Sequence, residues 1–296
     1  MILCSRSISD ESTADGRFGL TRRRLLVGAG GAATLAGGGG LYVTRALDGD
    51  FGDETAPDDH PTIITRERVE PDTVDAVAVT PAIEGTWDDS DELFVFVHGF
   101  DTDDPTARDQ AYTTQLGLDE LRPAPVAAYS WDSAVDWEPA KALADANAQV
   151  LADWLGEWES EDGRPVHLIG YSLGARVCLE TIRVLTDKDQ TTVVDSVSLL
   201  GGAVPHDSVE QDGRYGDAIA AVDAPVANFH SDNDRVLSWV YRLSDRTTAV
   251  GQRGIADSET TPNGYTDVDV TDQVDDHFSY FQPGEGCLPQ VVDQLP

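Results

Sequence analysis

Apolar residues along this chain fall into short unbroken runs, separated by longer stretches where they recur every three or four positions. Leu93-Phe94-Val95-Phe96-Val97 has no polar interruption, and Val126–Tyr129 and Val166–Ile169 read the same way. Runs of this kind suit strands of a sheet covered on both faces. Val74–Thr80 is a further strand-like run, and Val193–Leu200 and Val226–His230 complete the series. Between them, Asp104–Leu121, Pro139–Trp158 and Ala175–Leu185 have helical spacing. Strands alternating with such helices predict βαβ units: an α/β fold with a mostly parallel central sheet and helices on both faces.

The ends of the pattern look different. Residues 21–27 read Thr-Arg-Arg-Arg-Leu-Leu-Val, and an uncharged Gly/Ala-rich stretch follows to Thr44. A basic segment before an apolar run has the outline of an export signal, and the Arg22-Arg23 pair resembles a twin-arginine (Tat) signal. Residues 1–48 are therefore expected to be a Tat-like signal, or an anchor if uncleaved, since residues 25–44 approach the length of a membrane span. A cytoplasmic Gly/Ala-rich tail is the alternative. Residues 49–73 are acidic and contain Pro57 and Pro61, which reads as a linker with room for an early strand; residues 74–296 are expected to form the domain.

Charge narrows the class. The 296 residues carry 54 acidic against 20 basic side chains, a formal net charge of −34. Such a surface repels phosphate backbones and anionic head groups, which argues against a nucleic-acid partner. Lys141 and Lys188 are the only lysines. Excess carboxylate with little lysine points to a protein adapted to concentrated salt, where the Debye length falls to about 3 Å near 1 M and self-repulsion is screened. Cys178 lies in an apolar helical stretch and reads as a buried thiol, with no spacing signal for a disulfide to Cys287.

The candidate chemistry sits at strand ends. Gly170-Tyr-Ser-Leu-Gly174 follows the run Val166–Ile169 and opens the helix from Ala175. G-x-S-x-G in this strand–turn–helix context is a nucleophile elbow, with Ser172 raised above the sheet edge. A serine needs a base, and the base an orienting carboxylate, following in the order Ser, acid, His. Of the six histidines, only His277 lies beyond both Ser172 and the acids that follow Val226–His230. Asp234 is the favoured acid, with Asp232 and Asp207 as alternatives. After Leu93–Val97 comes His98-Gly99-Phe100, where one oxyanion-binding N–H is expected at Phe100, the other being that of Leu173. His98 itself is expected to order the turn.

The blocks HGF, GYSLG, SDNDRVL and DHFSYF together resemble the α/β-hydrolase superfamily over roughly residues 74–283. Gly170–Arg176, Asn228–Tyr241 and Val268–Tyr280 are similar to an uncharacterised branch of serine-hydrolase-like proteins. The resemblance implies an α/β-hydrolase fold with Ser172 as nucleophile, Asp234 as acid, His277 as base, and Leu173 and Phe100 as oxyanion donors. It also implies a serine esterase or lipase-like enzyme acting through an acyl-enzyme. A peptidase or amidase on the same triad is one alternative; a non-catalytic binding protein of this fold is the other. No cofactor or metal is expected. With no long lid between strands, the expected substrate is a small or medium acyl ester. Trp131, Trp239 and Tyr241 are candidates for an acyl-pocket wall, and the polar stretch Leu243–Gly264 for a flap.

Overall fold

The computed structural model describes residues 53–70, 79–87 and 90–296. The signal-like segment lies outside these residues, as does most of the strand expected over Val74–Thr80. Strand β1 is Thr62–Ile64, inside the stretch read as a linker, and β2 is Ala82–Glu84. Then come β3 (Leu93–Val97), α1 (Asp104–Leu118), β4 (Val126–Ser130), α2 (Trp137–Glu161), β5 (Val166–Tyr171) and α3 (Gly174–Asp187). They are followed by β6 (Ser196–Leu200), α4 (Gly216–Ala221), β7 (Val226–His230), α5 (Arg235–Ser244), α6 (Val250–Arg253), β8 (Tyr265–Asp269) and α7 (Leu288–Val292).

The strands form one sheet in the order β2-β1-β4-β3-β5-β6-β7-β8, parallel throughout except for the β1–β2 pair. From β3 the chain first steps outward to β4, then returns to place β5 on the other side of β3 and continues through β6, β7 and β8. That reversal opens a crevice beyond the carboxyl ends of β3 and β5, where open α/β sheets bind ligands.

Alternation along the strands feeds two cores. Leu93, Val95 and Val97 face α2 and α3 with Ala140, Leu151 and Ile182, whereas Phe94 and Phe96 face the opposite layer with Ala111, Leu118 and Leu288. Helices thus cover both faces, which is why these strands read as unbroken apolar runs. Cys178 belongs to the first core and Cys287 to the second; both are buried free thiols. Helix α1 begins where the Asp103 carboxylate accepts the Thr106 N–H at 3.0 Å, an N-cap that directs the helix away from the end of β3.

Two expectations change. Strand β8 carries acidic residues and is half exposed beyond β7, so it lacks the apolar signature of the central strands. The stretch expected to be a flap instead packs inward at Ala249–Gln252, where the Val250 and Gly251 N–H groups donate to the Val204 and Gly202 carbonyls at 2.9 and 3.0 Å.

Candidate active site

Ser172 occupies the turn between β5 and α3 with φ +53°, the left-handed region that non-glycine residues seldom adopt. The turn is pinned to the end of β6: the Ser172 N–H donates to the Leu200 carbonyl at 3.0 Å, and its own carbonyl accepts from Ala203 at 2.9 Å. Glycines make room for it. A Cβ at Gly174 would collide with the Val97 carbonyl, and one at Gly170 would stand 2.8 Å from the Cys178 sulfur.

The structure brings Ser172, His277 and Asp234 together, although 105 and 43 positions of chain separate the successive pairs. The Ser172 Oγ lies 2.9 Å from His277 Nε2, and His277 Nδ1 lies 2.6 Å from Asp234 Oδ2. The carboxylate can only accept, so Nδ1 carries the proton and Nε2 is left to receive that of the serine. This is the geometry of a serine-hydrolase triad. Asp234 caps α5, its Oδ1 accepting the Leu237 N–H at 3.0 Å. Asp232 and Asp207 are both exposed, and Asp232 pairs with Arg253 at 3.3 Å.

Two tyrosines, Tyr171 of GYSLG and Tyr280 of DHFSYF, hold this arrangement. The Tyr171 hydroxyl donates to the His277 carbonyl at 2.9 Å. That of Tyr280 lies 3.3 Å from Asp234 Oδ2 and 3.0 Å from the Gly251 carbonyl. Burial raises the pKa of both phenols well above its ordinary value, with the Asp234 charge adding to the shift, so they remain hydrogen-bond donors. Their place inside these two blocks is the signal the sequence offers for them.

Among the described residues, the Phe100 and Leu173 N–H groups donate to no protein acceptor. Gly99 allows Phe100 its position, since a Cβ there would come within 2.8 Å of Ser172 Cβ. His98 is buried, stacked on Trp131 with ring centroids 5.5 Å apart. Its Nδ1–H donates to the Gly99 carbonyl at 2.9 Å, and its Nε2 accepts the Trp131 N–H at 3.1 Å. Arg66 Nη2 approaches the same Nε2 at 3.2 Å and donates to the Thr102 carbonyl at 2.8 Å. Burial, reinforced by the Arg66 charge, pushes the His98 pKa down to about 3, keeping the ring neutral. In a trans peptide C=O and N–H point opposite ways, so holding the Gly99 carbonyl aims the Phe100 N–H to the other side.

A cleft of about 50 Å³ opens over Ser172 and His277. Trp137, Val236, Leu237 and Phe278 line its apolar side. Trp131 is fully buried away from it, and Tyr241 supports Trp137 edge-on from 6.0 Å behind. Trp137, the first residue of α2, thus lines the cleft with Phe100, Tyr171 and Phe278, whereas Trp131 and Tyr241 do not; the Trp239 side chain lies outside the described residues. Among the described residues no group of His, Cys, Asp or Glu side chains is arranged to hold a metal ion.

Residues 118–292 match the family described as Protein of unknown function (DUF726). The chain belongs to this family. The DUF726 match takes in Ser172, Asp234 and His277, whereas Arg66, Phe100 and Gln110 precede it. An uncharacterized membrane protein of Schizosaccharomyces pombe is 33% identical over 168 residues, covering 53% of this chain and 28% of that protein. "Probable lipase MIL1" of Saccharomyces cerevisiae is 28% identical over 169 residues, covering 56% of this chain and 14% of that protein. The chain thus spans less than a third of the length of either relative. Among solved structures, a Xanthomonas campestris protein described as an α/β serine hydrolase without a lid aligns with a TM-score of 0.40. That alignment has 14% identity and covers 82% of this chain and 99% of that one.

Proposed function

We propose that this DUF726 protein hydrolyses short carboxylic esters through an acyl-enzyme on Ser172. The observation that carries the reading is the continuous hydrogen-bonded line from Ser172 Oγ through His277 to Asp234. His277 Nε2 takes the Ser172 proton as Oγ attacks the ester carbonyl carbon. The Phe100 and Leu173 N–H groups receive the developing oxyanion, each contributing roughly 3 kcal/mol. As the C–O bond to the alcohol breaks, the imidazolium returns that proton to the departing oxygen. Water, deprotonated by the same nitrogen, then attacks the acyl-enzyme; the acid leaves and Ser172 regains its proton. Asp234 holds the Nδ1–H tautomer and stabilises the imidazolium throughout.

The narrow cleft supports a small acyl group, and the lipase designation of the yeast relative is consistent with ester chemistry. The remaining assignments rest on the sequence. Residues 1–48 act as a Tat-type export signal, residues 25–44 serve as a membrane anchor if retained, and the acidic stretch that follows links them to the domain, whose sheet begins within it at β1. The S. pombe relative is described as a membrane protein, while no helix among the described residues is long and apolar enough to cross a membrane. The −34 charge supports a protein that works in concentrated salt.

Labelling with a fluorophosphonate probe in about 3 M KCl tests the central claim, at a concentration that screens the surface charge. Wild type should label and Ser172→Ala should not. A folded wild type that fails to label removes the enzyme reading.

A further inference from the structure

Part of the lining of the cleft over Ser172 is polar. Thr106 and Gln110, one helical turn apart on α1, line it together with Asp101 and Thr102. Gln110 is 4% exposed, and its side-chain oxygen is buried with no hydrogen-bond partner. The other buried positions of the same helix are Ala107, Ala111 and Leu118, packed in the core, and Thr113 and Thr114, whose hydroxyls donate to the Asp109 and Gln110 carbonyls at 2.7 and 2.8 Å; Gln110 alone on α1 keeps a buried polar atom without a partner. A leucine at 110 would occupy a similar volume and leave no polar atom stranded. An amide at this place weakens the free protein, because a buried polar group without a partner keeps its full desolvation penalty.

We infer that Gln110 is a substrate-binding residue, and that the ester this site takes carries a hydroxyl group close to the scissile bond. This deepens the serine-hydrolase reading and rests on it. A hydroxyl both donates and accepts, so it satisfies the Gln110 side chain in either orientation of the amide, and the cleft is small enough to bring it there. An unsubstituted ester leaves the amide oxygen buried and unpaired in the complex, and a site built to bond a substrate hydroxyl rejects an analogue that lacks it. The hydroxyl can belong to the acyl limb or to the alcohol limb; the chemistry at Gln110 is the same.

The test compares three esters in the full chain at high salt: ethyl butyrate, ethyl 3-hydroxybutyrate and 2-hydroxyethyl butyrate. Wild type should favour one hydroxylated ester over ethyl butyrate by roughly tenfold to a hundredfold in kcat/KM. Which one it favours assigns the limb. In Gln110→Leu that preference should fall to near unity, while the melting temperature stays level or rises. Equal rates on all three esters in wild type, or a preference that survives in Gln110→Leu, overturns the inference. So does a melting temperature that drops in the variant, which would give the amide a structural partner. Fluorophosphonate labelling in parallel separates the two levels: a labelled enzyme without hydroxyl preference loses only the Gln110 assignment, and an unlabelled one loses the hydrolase reading as well.

Discussion

Ser172 holds its left-handed backbone because both sides of the turn are bonded to neighbouring segments, and the strain places Oγ where His277 can reach it. Removing that oxygen in Ser172→Ala should lower kcat by roughly a millionfold with an unchanged circular dichroism spectrum. Asp234→Asn should cost about 10⁴-fold in kcat, since the amide favours the wrong imidazole tautomer. Asp232→Asn, at an exposed position, should stay within about twofold of wild type. Equal losses in the two variants would contradict the assignment of the acid. Arg66 acts one residue further out. Replacing it with methionine removes the charged donor to His98 and loosens the carbonyl that aims the Phe100 N–H. On the oxyanion role proposed for Phe100, kcat should fall roughly tenfold and KM should hold, because the oxyanion forms only after binding. A rise in KM at constant kcat would place Arg66 elsewhere in the cycle.

At the scale of elements, the site is a meeting of three strand ends. β3 delivers Gly99 and Phe100, β5 delivers Ser172, and the loop after β7 delivers Asp234 at the cap of α5. Helix α3 approaches β3 so closely that Gly174 leaves no room for a side chain against the Val97 carbonyl. Gly174→Ala should therefore destabilise the protein by about 3 kcal/mol or more, read as a shifted denaturation midpoint. A neutral substitution there would mean that the elbow can slide outward. The unbroken strands were legible in the sequence because burial on both faces leaves no polar positions. β1, with three residues, and β8, with its acidic ones, were not: both depend on their strand neighbours for their place in the sheet.

Over the whole molecule, charge and buried histidines set how stability responds to conditions. With a net charge of −34, self-repulsion should be strong in dilute buffer, so the melting temperature should rise steeply between about 0.1 and 3 M KCl. A melting temperature indifferent to salt would count against adaptation to it. Acid should act through groups that fold in one protonation state. Burial lowers His98 to about 3 and His60 to about 4, while the unfolded chain titrates near 6.5. The unfolded state thus binds more protons as pH falls below 6.5, and stability present above that pH is lost on the way down to 4. Each histidine contributes about 1.4 kcal/mol per pH unit within its window. Glu92 and Glu180 push the same way: burial raises each, but hydrogen bonds from arginines, Arg122 and Arg214 respectively, outweigh it and leave both below the usual carboxylate range. A melting temperature flat from pH 7 to 4.5, measured at high salt where repulsion is screened, would contradict this.

The sequence by itself determined the α/β alternation, the elbow around Ser172, and His277 as the base, because strand burial, turn geometry and chain order are local or ordinal properties. It favoured Asp234 as the acid and left Asp232 and Asp207 open. Choosing Asp234 required the tertiary structure, since capping α5 and reaching His277 depend on where β7 and β8 lie. The same holds for Arg66 against His98, for Trp137 in place of Trp131 in the pocket, and for the stranded amide oxygen of Gln110. Each is a contact between segments far apart in the chain. Such contacts follow from the order in which strands neighbour one another, which the pattern of apolar residues along the chain does not encode.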